Sequence, residues 1–228
     1  MEFEHADLQS CSQATGVVVV IDVLRAFTTA AYALDAGARQ ILPVSTVEEA
    51  LNLHSQFPAA LTMGEIDGVP VKEFDLGNSP SELNGRDLTG RTLIQRTTSG
   101  TQGIVRSRQA KTLLAASLVC AGATADLIFR LGTQKVTFVI TGHREGDGGD
   151  EDLACADYIR ALLIGEQPPV ETILRRVRES REGRLFGDVS RPELPAADLD
   201  YSLEVDRFDF AMQVVRVEDG LRVIKKVI

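Results

Sequence analysis

The sequence predicts an α/β fold, a three-layer α/β/α domain around a mostly parallel mixed sheet with a C-terminal β-hairpin. Three observations carry this. Short aliphatic runs alternate with helical patterns, the signature of βαβ units. The first run, GVVVVIDVLRA (16–26), lacks polar alternation, as expected of a strand buried on both faces. The final stretch, AMQVVRVEDGLRVIKKVI (211–228), reads as two strands about Asp219-Gly220, a favourable type I′ turn pair.

The elements follow in order. After the first strand, TTAAYALDAG (28–37) reads as a helix stopped by Gly37. RQILPVS (39–45) is a strand, and STVEEALNLHSQF (45–57) a helix capped by Ser45 or Thr46, with Glu48 and Glu49 in its first turn. AALTMGEI (59–66) and RTLIQRT (91–97) are strands; TQGIVRSR (101–108) starts a helix. KTLLAASLV (111–119) and QKVTFVITG (134–142) are strands followed by helices; each helix, 123–132 after the one and 149–165 after the other, ends in a glycine. Beyond a Pro-Pro break, 165–183 is a charged helix and 199–210 a short segment. The hairpin is expected at the sheet edge or packed on the core, without chemistry. The whole chain, 1–228, is read as one domain with a core of about 15–165 and residues 166–228 appended.

The formal charge is 24 − 33 = −9. That argues against non-specific nucleic-acid binding, and an anionic substrate needs local help from arginines or a divalent cation. Cys11, Cys120 and Cys155 are odd in number and lack metal-site spacing. No leader and no apolar run of about 18 residues is evident, so the expected location is cytoplasmic, away from membranes. A homodimer is expected only from the general frequency of twofold assemblies.

In an open parallel sheet, ligands bind beyond the carboxyl ends of the strands. The residues there are Asp22 and Arg25; Glu65 and Asp67, followed by KEFDLGNSPSE (72–82); Arg96, Thr97, Thr98, Ser99, Gly100 and Thr101; and TGHREGDGGDEDL (141–153). A helix starting after Ser99-Gly100 points free N–H groups outward, and four hydroxyls exceed the needs of a cap, so this turn is expected to seat an anion. It is neither a Walker A loop nor a nucleophile elbow.

Asp147, Asp150, Glu151 and Asp152 repel one another, and hard oxygens near Asp22 and Glu65 suit Mg²⁺. Expected metal ligands are Asp22, Glu65, Glu151 and Asp152. Cys155, on the same helical face as Glu151 and Asp152, either faces the site or is a buried thiol. His143 either acts as an acid or base or is simply solvated. Asn78-Ser79-Pro80 reads as a turn or helix start with Glu82 completing a capping box, while Asp75 and Asn78 flank Gly77 and are placed to bond a ligand.

Taken together and in order, IDVLRAFTT, GE with FDLGNSPSE, RTTSGTQG and EDLACA resemble the 2-phosphosulfolactate phosphatase family, over roughly residues 15–165. The resemblance implies a Mg²⁺-dependent phosphatase of the coenzyme M pathway that converts 2-phosphosulfolactate to sulfolactate and phosphate. Asp22 and Arg25 match its DVLRA, and Glu65 its GER. Asp75, Gly77, Asn78 and Ser79 match its FDLGNSP. Thr97, Thr98, Gly100 and Thr101 match its TTNGT, and Glu151, Asp152 and Cys155 its LED…CAG. Ile66 replaces the arginine of GER, Ser99 the asparagine of TTNGT, and Asp157 the glycine of CAG.

The expected function is therefore phosphomonoester hydrolysis of a small anionic substrate. Asp22, Arg25, Asp152 and Cys155 form the catalytic set, and Arg96 joins Arg25 in clamping the anion. The alternatives are a phosphatase with another small phosphomonoester and a non-catalytic sensor of a phosphorylated metabolite. The excess of acids speaks against the sensor.

Overall fold

A computed structural model describes residues 1–142, 148–167 and 169–228. His143 and Asp147, two of the candidate residues, lie outside the described residues.

The strands are β1 (Glu2–Ala6), β2 (Gly16–Ile21), β3 (Gln40–Pro43), β4 (Leu61–Ile66), β5 (Val69–Pro70), β6 (Thr92–Arg96), β7 (Ala110–Ala116), β8 (Lys135–Ile140), β9 (Phe210–Val217) and β10 (Gly220–Val227). The helices are α1 (Ala26–Asp35), α2 (Val47–Gln56), α3 (Gly100–Arg106), α4 (Ala121–Leu131), α5 (Asp150–Leu163), α6 (Val170–Glu179) and α7 (Ala196–Ser202). Every expected strand and helix is present. Thr46 caps α2, its Oγ1 accepting from Glu49 N at 3.0 Å. Strand β1, EFEHA, was not expected: its residues are exposed or half-buried, so no apolar run announces it.

The ten strands form one sheet in the order β1-β8-β2-β7-β9-β10-β3-β6-β4-β5. Alternate residues of β2 serve opposite faces, as the two-residue strand period requires. Val18 and Val20 join a core with Phe27, Ala30 and Ile104 of α1 and α3, while Val17, Val19 and Ile21 join another with Ala125, Ile128, Ala154 and Ile159 of α4 and α5. A third cluster seats Ala50 of α2 on Leu42 and Ile94. The sheet is thus the middle layer, with α1 and α3 on one face and α2, α4 and α5 on the other.

Of the two placements expected for the hairpin, the sheet edge is not the one found, and it packs on the core. It lies mid-sheet, with β9 antiparallel to β7 and β10 antiparallel to β3. Phe210, Met212 and Val214 enter one core and Ala211 the other, so β9 is covered on both sides.

This insertion positions the site. The β1-β8-β2-β7 block is parallel, and so is β3-β6-β4. The antiparallel steps β7-β9, β9-β10 and β10-β3 separate them, so the blocks run in opposite senses along the sheet. A twist of about 20–25° per strand accumulates between them, and β10 meets β3 only at Val223–Ile41. The sheet curls around α1 and α3, whose shared core takes Val18 and Val20 from one block and Ile41, Met63 and Leu93 from the other. The carboxyl ends of both blocks thereby converge, and Gly100, after β6, lies against Asp22, after β2. Among the described residues no helix is long and apolar enough to cross a membrane.

Candidate active site

The convergence leaves a cavity of about 350 Å³. Its floor carries Asp22, Arg25, Glu65, Asp67, Thr98, Ser99, Glu151 and Asp152, every one of them a strand-end residue singled out from the sequence. Asn78 lines it too. A second wall comes from the chain after α6: Arg181, Glu182, Leu185, Phe186, Arg191 and Leu194. None of these was anticipated: the 165–183 stretch reads only as a charged helix, and 184–198 was assigned no element from the sequence.

Local geometry places each acid. Asp22 follows β2, and its Oδ1 accepts from Ala26 N at 2.9 Å, capping α1. Glu65 sits where β4 enters a two-residue Asp67-Gly68 turn to β5, both turn residues having positive φ (49° and 86°), the I′ signature. Gly64 lets β4 and β6 approach so closely that a Cβ there would collide with the Arg96 carbonyl oxygen. Glu65 accepts from Thr98 N (2.6 Å), Thr98 Oγ1 (3.1 Å) and Gly68 N (2.6 Å). Asp152, in the first turn of α5, accepts from Val23 N, Thr141 N, Thr141 Oγ1 and Gly142 N, and so staples β2 to β8.

These bonds revise the reading of the Thr-Ser-Gly turn. The Thr98 N–H goes to Glu65. Thr97 and Thr101 serve each other, Thr97 N donating to Thr101 Oγ1 at 2.9 Å and Thr101 N to Thr97 Oγ1 at 3.0 Å. A Cβ at Gly100 would lie 2.8 Å from Asp22 Oδ2. The Thr98 N–H of this turn is thus taken by the chain's own carboxylate, while Thr98 and Ser99 line the cavity wall.

Other candidates are also reassigned. Cys155 is fully buried in the outer core, off the cavity; burial pushes its thiol well above the ordinary value, reinforced by Cys120, so it is not an available nucleophile. All three cysteines are free and buried. Asp75 accepts from Thr62 N (2.8 Å) and Thr62 Oγ1 (2.9 Å), pinning its loop to β4, and neither it nor Gly77 lines the cavity. Ser79 Oγ donates to Asp198 at 2.7 Å. Arg96 Nη1 donates to the Glu65 carbonyl at 2.6 Å, off the cavity wall. Ile66 is exposed and also off the wall.

Arg25 keeps its place but not as a free clamp. Its Nη1 donates to Asp198 Oδ2 (2.6 Å) and the Glu193 carbonyl (2.8 Å), and its Nη2 to the Gly68 carbonyl at 3.3 Å. The Phe186 ring lies 5.5 Å from the guanidinium carbon. Among the described residues Nε and one Nη2 hydrogen stay without an acceptor, one edge of the fork.

The acids are crowded and dry. Burial pushes Asp22 up to about 6, and Glu65 adds to the shift. Burial pushes Glu151 up to about 8, with Glu182 and Asp22 adding to it, and raises Asp152 well above the carboxylate range. Among the described residues Glu151 Oε2, Glu182 Oε2 and Asn78 Oδ1 are buried without a hydrogen-bond partner. Three unserved oxygens on one cavity call for a cation, protons or donors from a ligand. Among the described residues no three His, Cys, Asp or Glu side chains form a ready ligand set. Mg²⁺ needs only one or two carboxylates and keeps its waters, so the oxygens present fit it.

A pH dependence follows for the metal-free chain. Asp22 and Glu151 titrate near 3.8 and 4.5 when unfolded, but at about 6 and 8 when folded. Between those values the unfolded chain has released protons that the folded chain retains. Unfolding is then favoured as pH rises, and the contribution, complete below the unfolded values, is lost on passing the folded ones. In EDTA, Tm should fall between pH 5 and pH 8.5, and less steeply for Glu151→Gln. Equal slopes for both proteins would remove Glu151 from this account.

Comparison with known proteins agrees with the geometry. A family model described as 2-phosphosulpholactate phosphatase matches residues 3–216. A probable 2-phosphosulfolactate phosphatase of Bacillus subtilis (strain 168) is 34% identical over 198 residues, covering 86% of this chain and 86% of that protein. Proteins of the same name from Carboxydothermus hydrogenoformans and Deinococcus radiodurans are 44% and 37% identical, over 68% and 70% of this chain and 63% and 67% of their own lengths.

Proposed function

We propose, for a chain that belongs to the 2-phosphosulpholactate phosphatase family, that this cavity hydrolyses 2-phosphosulfolactate to sulfolactate and phosphate with the help of Mg²⁺. The observation that carries the reading is the set of buried oxygens without a partner among the described residues, Glu151 Oε2, Glu182 Oε2 and Asn78 Oδ1, in a cavity that also holds Asp22 and Arg25. The family is one of phosphatases, so the sensor alternative is not carried further.

The ligands we assign to Mg²⁺ are Asp22 and Glu151, with the Asn78 and Glu182 oxygens available to its waters. Glu65 and Asp152 are committed to backbone donors and hold the floor in shape. Held by Asp22 and Glu151, such an ion would supply Lewis-acid polarisation and charge neutralisation at the phosphoryl group. The free edge of Arg25 offers two N–H donors to phosphoryl oxygens, and Asp198 holds that guanidinium in one orientation. The Ser99 hydroxyl on the wall is a further donor. Leu24, Leu185, Phe186 and Leu194 form the apolar part of the wall, excluding bulk water and strengthening each of these interactions. With Cys155 sealed in the core, water is the attacking group we assign.

The test is phosphate release from 2-phosphosulfolactate, phospholactate and p-nitrophenyl phosphate, with Mg²⁺ and with EDTA. Release that needs Mg²⁺ and is fastest on 2-phosphosulfolactate is expected. No release from any substrate overturns the activity, and undiminished release in EDTA overturns the metal.

A further inference from the structure

The cavity is lopsided in charge. Its floor is acidic, with Asp22, Glu65, Glu151 and Asp152, whereas the wall after α6 brings Arg181 and Arg191. Both arginines line the cavity and are exposed. Their neighbours in sequence are occupied: Arg176 is held by Asp157 at 2.7 Å and Arg178 by Asp200 at 3.7 Å. Among the described residues neither Arg181 nor Arg191 pairs with a carboxylate. Asp188, the acid of the Arg191 loop, is engaged by Ser190 N and Ser190 Oγ at 2.8 Å each. That loop is closed by Gly187 N donating to the Leu194 carbonyl at 2.9 Å, so Arg191 is presented from a built turn.

We propose that Arg181 and Arg191 form a second anion subsite at the mouth of the cavity, which takes a carboxylate or sulfonate of the substrate while the floor takes the phosphoryl group. The inference rests on the phosphatase reading and extends it to specificity. A phosphate ester bearing further acidic groups meets an acidic floor. One cation and the free edge of Arg25 can serve the phosphoryl group, and other anionic groups are repelled unless cations face them. Among the described residues Arg181 and Arg191 are the cavity cations without an ion-pair partner within 4.0 Å, and a guanidinium fork matches carboxylate and sulfonate oxygens.

The experiment compares wild type with the Arg181→Gln/Arg191→Gln double variant, and with Arg184→Gln, an exposed arginine off the cavity, as control. On 2-phosphosulfolactate the double variant should lose about ten- to hundred-fold in kcat/KM, mostly through KM, the scale of losing charge-assisted bonds. On p-nitrophenyl phosphate, which has no second acidic group, its loss should be much smaller, so the substrate preference collapses. A loss on phospholactate as large as that on 2-phosphosulfolactate assigns the carboxylate; a smaller one assigns the sulfonate. Equal losses on all three substrates, or none, overturn the subsite. If wild type hydrolyses nothing in the panel, the phosphatase reading has failed, and calorimetric titration of 3-sulfolactate decides the subsite separately. Binding weakened at least about ten-fold by the double variant supports it. No binding by wild type, or equal binding by both proteins, overturns it.

Discussion

Asp22→Asn should abolish turnover while leaving the fold intact. Asp22 is buried at the point where both parallel blocks converge, and its carboxyl is held up near 6 by burial and by Glu65. Asparagine keeps an oxygen for the Ala26 N–H, the 2.9 Å bond that starts α1. It removes a negative charge from a crowded floor, so Tm should hold or rise. What is lost is the anionic oxygen assigned to Mg²⁺. The expected drop in kcat/KM is about 10²- to 10³-fold or more, the scale of deleting a preorganised charge-stabilising group. Phosphate release and a melting curve, measured together, check this. Wild-type activity in the variant would sink the assignment, whereas a collapsed Tm would make Asp22 a structural residue.

Asp198→Ala should be the most destabilising single change among the residues that support the cavity from behind. Asp198 is fully buried and accepts from Arg25 Nη1 (2.6 Å), Ser79 Oγ (2.7 Å), Ser81 N (3.1 Å) and Ser81 Oγ (2.6 Å). It joins the turn after β2, the loop after β5 and helix α7 at one point. Its removal leaves a guanidinium, 3% exposed, without its counter-charge, a loss of about 3–5 kcal/mol. For a chain of this size that is a fall in Tm of roughly 6–20 °C. Activity should fall as well, because Arg25 is no longer held in one orientation. Asp198→Asn keeps an acceptor and loses only the charge, so it should sit between wild type and alanine. Urea unfolding measures the difference; a loss below about 1 kcal/mol for the alanine variant would mean that Arg25 finds another partner.

The sequence by itself determined most strands and helices from β2 onward, though not β5 or α7, and the strand ends from which the cavity residues are drawn. Strand alternation and the exit of the chain at a strand's carboxyl end are local properties. Asp22, Glu65, Thr98, Ser99 and Asp152 were therefore legible, and they share one wall. What those residues do there was not legible. Hydroxyls look the same in sequence whether they line the cavity, as Ser99 does, or serve Glu65 and one another, as Thr97, Thr98 and Thr101 do. Cys155 has the right helical spacing, yet the packing of α5 against α4 turns it into the outer core.

Only the tertiary structure decided where the hairpin goes and what the chain after α6 contributes. Pairing of β9 with β7 joins residues about a hundred positions apart, such as Val214 with Leu113. Which edge a strand joins depends on the apolar area it covers on both faces, not on its own pattern. The run Phe210–Val214, buried by both cores except at Gln213, did carry a signal for a central strand. Inserting that hairpin reverses the second block, and sheet twist then returns its strand ends to Asp22. The same closure brings Glu182, Arg181, Arg191 and Asp198 to the site. Isolated charges in a polar stretch acquire meaning only from the buried groups they face, and those neighbours are set by the global packing.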